Sequence, residues 1–554
     1  MPVTRLLLTG LLSAALFVSS AQAHFIWVVT EPGEQPTVAK VYLSEDAGPD
    51  DPELLPKIAA AQTWVLGTRG AKTQSLSLKI DGDALVGEIP QRLAGQPVVV
   101  NHSYGVMSRG AKPFLLKYYA KAYPSQLSSS WTAVDKADLL PLEVNPVLEG
   151  KTLTLTVTWE GKPAAGCQVT VEGPGLKEKV QGDSNAEGKF TVEIPKAGLF
   201  SIRARKEEDA SGELDGKKYE QVKHYSTLSL NVTPASVISD DQRLPALTKG
   251  TTSFGAAVVG DNLYIYGGHL GGAHEYHAED QSNEFLRLSL SQPGEWEKLP
   301  SGPKRTGLAM VAHQGKIYRV GGFEVVSEGK NNLTSNSDFA RFDPATNKWE
   351  DLTPLPEGRS SHDAVVVGDT IYVAGGWQLK AGDSYDNAWL KTAWSYDLSQ
   401  EKSEWKPVVA PPFERRAISL ATRDGLLYCI GGMQSKGGTT TRVAVLDPAQ
   451  GTWSEGPAIL GSGMDGFGTA SYCLDGQLIT TTMSGSIQRL AADGSRWEYL
   501  GQMVHPRFFH EMVPWKQNLV IVGGASMETG KAIELEQIPV APLEAAEQKA
   551  ALVE

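Results

Sequence analysis

"TIYVAGGW", residues 370–377, decides the fold, because the chain says it again and again. An alternating apolar run enters a glycine doublet. The same phrase returns as "NLYIYGGH" (262–269), "KIYRVGGF" (316–323), "LLYCIGGM" (426–433) and "NLVIVGGA" (518–525). The doublets begin at Gly267, Gly321, Gly375, Gly431 and Gly523, so the gaps are 54, 54, 56 and 92 residues. The last gap is close to two periods, and "GTASYCLDGQLITTTMSG" (468–485) fills it as a repeat that has lost its doublet. Fixed-period similarity of this length marks an array of identical supersecondary units.

Each unit has the same internal grammar. An apolar run with a Gly-Asp type turn, as in "AVVVGDTIYV", reads as a hairpin, and a Trp follows the doublet at Trp296, Trp349, Trp405, Trp453 and Trp497. Four short antiparallel strands per unit cannot bury both faces alone, and radial packing of several units solves that problem. The phrases resemble kelch repeats over about residues 250–538. That resemblance implies a six-bladed β-propeller over 236–540, with blade five lacking the doublet and blade six lacking a Trp strand. "VISDDQRLPAL" (237–247) is the expected donor of the missing strand, pairing onto blade six and closing the ring. Closure would remove an open sheet edge.

In a propeller the loop leading into each innermost strand and the loop after the doublet share one face. That face collects Arg305, Arg359 with His362, Arg415 with Arg416, Arg507 with His510, and Trp377. Guanidinium forks around a shallow mouth suit carboxylates or polyhydroxylated ligands, and a Trp suits a sugar face. The expected ligand-binding residues are therefore Arg305, Arg359, His362, Trp377, Arg415, Arg507 and His510, with a protein or glycan as partner. In kelch repeats these Arg and His also commonly tie loops together between blades. The loop "GGHLGGAHEYHAED" adds His274 and His277 with flanking carboxylates, a weaker candidate for metal.

The other end of the chain reads differently. Arg5, an apolar run from Leu6 to Val18 and the triplet Ala21-Gln22-Ala23 form the pattern of a secretory signal peptide (1–23). The expected product is a periplasmic or secreted protein that begins at His24, and no stretch is long enough for a membrane span. A histidine at a free N-terminus offers its amine and ring Nδ1 as a chelating pair. One further imidazole completes a three-nitrogen site, so His24 is the expected chelator, His102 its first partner and His224 the weaker third, for copper, nickel or zinc.

Residues 24–235 read as β structure in two parts, 24–140 and 141–235. The second is an immunoglobulin-like sandwich in which Leu153, Leu155, Val157 and Trp159 share one face. "AHFIWV", "VYLSEDAGPDDPELL", "GVMSRGAKPFLLKYYAKAY" and "GKPAAGCQVTV" resemble the exported bacterial family labelled nickel-uptake-like, followed by a carboxypeptidase regulatory-like module. The label implies metal handling. Residues 541–554 read as a solvated tail.

Composition narrows the function. Lys plus Arg number 51 against 64 Asp plus Glu, a net charge of −13, which argues against nucleic acid and anionic membrane as partners. Three cysteines make no disulfide framework. Cys429 and Cys473 lie in neighbouring repeats and could pair, buried free thiols being the simpler reading. A galactose-oxidase-like reaction is excluded, since it needs a Cys in a mouth loop. The favoured class is an exported, all-β binding protein. The alternatives are copper-dependent oxidase-type chemistry at His24, sugar isomerase or mutarotase chemistry on the propeller, and a structural surface component.

Overall fold

The computed structural model describes residues 24–540, apart from 32–36, 68–71, 91–92, 94–95, 109–111, 124–130, 132–133, 135–137, 150, 234–236, 330–331, 383–387, 401–402 and 462. The signal segment 1–23 and the tail 541–554 lie outside the described residues.

The first part of the chain is a three-layer β structure. An eight-stranded sheet forms its middle and runs, in order, Val180–Asp183, Gln168–Glu172, Gly198–Glu208, Gln221–Val232, Phe114–Ala122, Val98–Met107, Gln62–Val65 and Gln74–Leu76. Side chains alternate across a strand. Val98, Val100, Tyr118 and Ala120 pack against Ile26, Val28 and Val41 of one flanking sheet. Val99, Tyr119, Ile202 and Leu228 pack against Leu153, Leu155 and Val157 of the other, the face expected from the sequence. The expected boundary at residue 140 does not separate two sheets. Gln221–Val232 pairs in parallel with Phe114–Ala122, register Tyr225 to Tyr118, and stitches the two halves into one layer.

From Gly255 onward six sheets follow in sequence. Blades one to four each have four antiparallel strands, beginning at Gly255–Val259, Ala309–His313, Asp363–Val367 and Ser419–Arg423. Blade five begins at Ala470–Leu474 and blade six, with three strands, at Glu511–Trp515. The first strand of each lies beside the first strand of the next, and blade six returns to blade one, so the ring is closed. Apolar clusters fill the spaces between neighbouring blades, as with Phe254, Leu263 and Leu288 of blade one against Val520 and Val522 of blade six. The repeat tryptophans fasten blade to blade. The indole N–H of Trp349, Trp405, Trp453 and Trp497 donates at 2.9 Å to the carbonyls of Pro300, Thr353, Val409 and Pro457 of the preceding blade.

The segment 237–247 closes the ring, by a route other than the expected one. Its only strand, Val237–Ile238, pairs in parallel with Gly501–Gln502 of blade five. Blade six receives a single bridge, in which Asp240 and Gln537 exchange backbone hydrogen bonds. Strand pairing stops there because Asp240 turns the chain. Its carboxylate accepts from the Gln242 N–H at 2.9 Å and pairs with Arg243 at 2.6 Å. Even so, Trp296 of blade one donates to Ala246 as the other tryptophans do to blade ends, so the segment ends where a fourth strand of blade six would. Cys167, Cys429 and Cys473 are free thiols.

Candidate functional site

At one end of the propeller axis the backbone forms a belt. In the turn before each innermost strand sits a residue in the left-handed region: Ser253, Gly307, Ser361, Ala417, Gly468 and Phe509, with φ between 51° and 64°. The N–H groups of the last five donate to the equivalent carbonyl of the blade before, starting with Gly307 to Ser253 (2.7 Å) and ending with Phe509 to Gly468 (2.9 Å). Left-handed backbone is costly for non-glycine residues. Here it lets five successive turns hand their N–H to the blade before rather than to their own strand.

One residue per blade stands just before the belt: Thr252, Thr306, Ser360, Arg416, Phe467 and Phe508. Blades one to three contribute small buried groups, and blades four to six contribute large, partly exposed ones. Phe467, Phe508 and Phe509 form one aromatic cluster with ring centres 4.9–6.0 Å apart. Arg416 lies over the Trp377 ring at 4.1 Å and near Trp389 at 5.5 Å, its Nη2 3.2 Å from the Met433 sulfur. Its Nε is buried without a partner, as is the Trp377 Nε1. Among the described residues no carboxylate pairs with Arg416.

The other arginines of the repeat are turned inward, so the expected ring of free guanidinium forks is not formed. Nη1 of Arg359, Arg415 and Arg507 donates to the first carbonyl of its own blade's doublet, Gly375, Gly431 and Gly523, at 2.6, 2.9 and 3.0 Å. A second carbonyl of the returning strand, that of Thr392, Arg442 or Glu534, accepts from the same atom. Arg359 and Arg507 are fully buried and paired with Glu357 and Glu536. Arg305 is held by Glu324 and Asp338 at 2.8 and 3.0 Å. The doublet loop leaves carbonyls with no strand partner, and a buried carbonyl needs a donor. His362 and His510 are also interior, and burial, helped by the adjacent Arg359 or Arg507 charge, lowers both pKa values, that of His510 to about 3. Of the seven expected ligand-binding residues, Trp377 alone lines the mouth.

Below the belt, the innermost strands begin at Gly255, Ala309, Asp363, Ser419, Ala470 and Glu511. Sequence reasoning passed over Asp363 and Glu511, although "HD" and "HE" follow the repeat histidines in blades three and six. These blades face each other across a ring of six. Asp363 Oδ2 reaches blade four and accepts the Leu420 N–H at 2.7 Å. Burial raises its pKa to about 7, and burial together with the Asp363 charge raises that of Glu511 well above the usual range.

The three histidines expected to bind metal do not converge. His24 Nε2 pairs with Asp50 at 3.2 Å, and the Tyr118 hydroxyl donates to the His24 carbonyl at 2.9 Å. His102 is the register partner of Tyr118 and shares its face. His224 sits on the opposite face, fixed by Tyr119 (3.0 Å) and Glu208 (3.2 Å) and packed against Trp159. Strand alternation forces this separation. Among the described residues no group of three or more His, Cys, Asp or Glu side chains is placed to hold a metal ion, and His274 and His277 are exposed.

Residues 214–376 and 253–481 match the KLHDC2/KLHL20/DRC7 Kelch-repeats domain. Residues 255–539 form a kelch-repeat propeller. Similar proteins include kelch-like protein 35 of Mus musculus, 27% identical over 38% of this chain and 32% of its own length. The kelch-like protein terF of Aspergillus terreus is 32% identical over 32% of this chain and 38% of its length. Kelch-like protein 23 of Pongo abelii is 29% identical over 45% and 42%. The matched part thus spans well under half the length of these relatives. The solved structure of YjhT is 18% identical, with a TM-score of 0.44, over 54% of this chain and 97% of that one. No helix among the described residues is long and apolar enough to cross a membrane.

Proposed function

We propose that this chain is an exported binding protein whose kelch propeller takes a segment of a protein partner at its mouth. One observation carries the reading. The mouth holds a cation stacked on an indole without a carboxylate counter-ion, beside a partly exposed cluster of three phenylalanines. Exposed aromatic and arginine side chains gathered in one concavity are the composition of interface hot spots. A protein ligand is favoured over a neutral glycan because the cation calls for an anion. Export rests on the pattern of residues 5–23. Metal binding forms no part of the proposal.

Site-specific photo-crosslinking tests it. A benzophenone side chain at Met433, on the mouth, should cross-link to a discrete protein in the native host, whereas one at Glu297, on the flank of blade one, should not. Cross-linking from the flank but not from the mouth would overturn the proposal.

A further inference from the structure

Lys531 is set apart from the repeat arginines by what surrounds its charge. It ends the short hairpin Ala525–Ser526 with Gly530–Lys531 in blade six. Its stem is seated against the chain entering blade one, where a Cβ on Gly250 would meet the Lys531 Cβ at 2.6 Å. Arg305, Arg359 and Arg507 each meet a carboxylate directly. Among the described residues no carboxylate forms an ion pair with Lys531, and Asp280 acts on it only as a more distant charge. Its amine donates instead to the His269 carbonyl at 2.6 Å and stands 3.4 Å from the His269 Nδ1.

The tautomer of His269 is fixed from the other side of its ring. Nε2 lies 2.8 Å from the Glu275 carbonyl oxygen, which can only accept, so Nε2 carries the ring proton and Nδ1 presents a lone pair to Lys531. Burial and the Lys531 charge hold the ring in that neutral form. An amine, a neutral imidazole beside it and a third group that orients the imidazole are the parts of an activated nucleophile. Burial also lowers the Lys531 pKa to about 8. About a tenth of such an amine is uncharged at pH 7, against less than about a thousandth of an ordinary lysine. Thr251 adds an independent sign. Its hydroxyl is buried without a hydrogen-bond partner, next to Gly250 in the chain and against Gly268, which precedes His269. An orphaned buried hydroxyl is costly, and this one borders the lysine–histidine pair.

Independently of the protein-binding reading of the mouth, we infer that Lys531 is a nucleophile that captures a small aldehyde as an imine, with His269 carrying the protons. The uncharged amine forms a C–N bond to the carbonyl carbon as the C=O π bond opens. His269 Nδ1 relays the two amine protons in turn to the carbonyl oxygen, which leaves as water while the C=N bond forms. Nothing is oxidised or reduced. An aldehyde suits the half-buried amine better than a ketone, because its carbonyl carbon carries a single substituent.

Propanal with sodium cyanoborohydride, added to the full chain and followed by peptide mass spectrometry, traps the imine as an alkyl-lysine. At pH 7 Lys531 should be labelled at least tenfold faster than the exposed Lys249 and Lys516, and the advantage should vanish above about pH 10, where every lysine is largely uncharged. Lys531→Arg keeps the cation and its donor to the His269 carbonyl, so it should melt as wild type does while the fast phase of labelling disappears. His269→Gln should slow Lys531 at least tenfold. Nitrogen-15 NMR of the unsubstituted chain should show His269 Nδ1 unprotonated, a reading that holds even where the variant melts early. Labelling of Lys531 no faster than that of Lys249 and Lys516 would overturn the inference. Fast labelling that survives in a folded His269→Gln, or a protonated Nδ1, would overturn the part given to His269 and leave the nucleophile standing.

Discussion

Removing the Glu536 carboxylate should cost the propeller more than any exposed charge can. Glu536 and Arg507 are both fully buried and form an ion pair. The same carboxylate accepts from the Ser239 hydroxyl and from the N–H groups of Val504 (2.9 Å) and His505 (3.3 Å). It therefore joins blade six, the turn leading into it and the ring-closing segment. Glu536→Ala leaves a buried guanidinium without its counter-charge, a change that costs about 3–5 kcal/mol. At about 2.1 cal/mol/K of unfolding entropy per residue, a propeller of this size loses roughly 1.7 °C of Tm per kcal/mol, so a fall of about 5–8 °C is expected for the propeller transition. The control is Glu297→Ala, whose carboxylate is half exposed and pairs with Arg287, a class of pair worth about 0–1 kcal/mol. Scanning calorimetry of the full chain reads both. If Glu536→Ala moves the propeller transition no further than Glu297→Ala, the buried pair does not hold the ring closed.

Gly501→Ala would place a Cβ 1.6 Å from the Val237 carbonyl oxygen. It should expel Val237–Ile238 and lower the propeller transition in the same direction as deletion of 237–247. An unchanged melting temperature in both variants would refute closure by this segment. The raised carboxyls of Asp363 and Glu511 make stability pH-dependent. The pKa of Asp363 is raised on folding from 3.8 to about 7, so its neutral form stabilises the fold below pH 4, and that contribution is lost as pH rises through 7. The loss is up to about 1.4 kcal/mol per pH unit for one proton. Asp363→Asn should therefore flatten the pH dependence of chemical denaturation between pH 4 and 7. A slope equal to wild type would show that Asp363 is charged in the folded state.

What could be read along the chain was whatever one blade decides by itself. Period, hairpin turn, doublet and Trp are local in sequence, because each sheet forms from consecutive strands, and they announced a propeller without any distant contact. The degraded fifth repeat was visible for the same reason. The single face of Leu153, Leu155 and Val157 followed from alternation alone.

Tertiary structure decided the direction of every charged group. Arg415 and Arg416 are adjacent and chemically identical, yet one is spent on buried carbonyls and the other stands at the mouth. Strand alternation sends the two side chains opposite ways, and the folded neighbours decide that one way leads to the Gly431 and Arg442 carbonyls and the other to Trp377. The opposition of Asp363 and Glu511 arises from residues 148 positions apart that meet only when six sheets close a ring. The parallel pairing of Phe114–Ala122 with Gln221–Val232 has no local mark, and it is what divides His102 from His224. Backbone periodicity is a short-range property of the chain, whereas burial and charge pairing depend on what the finished fold brings alongside.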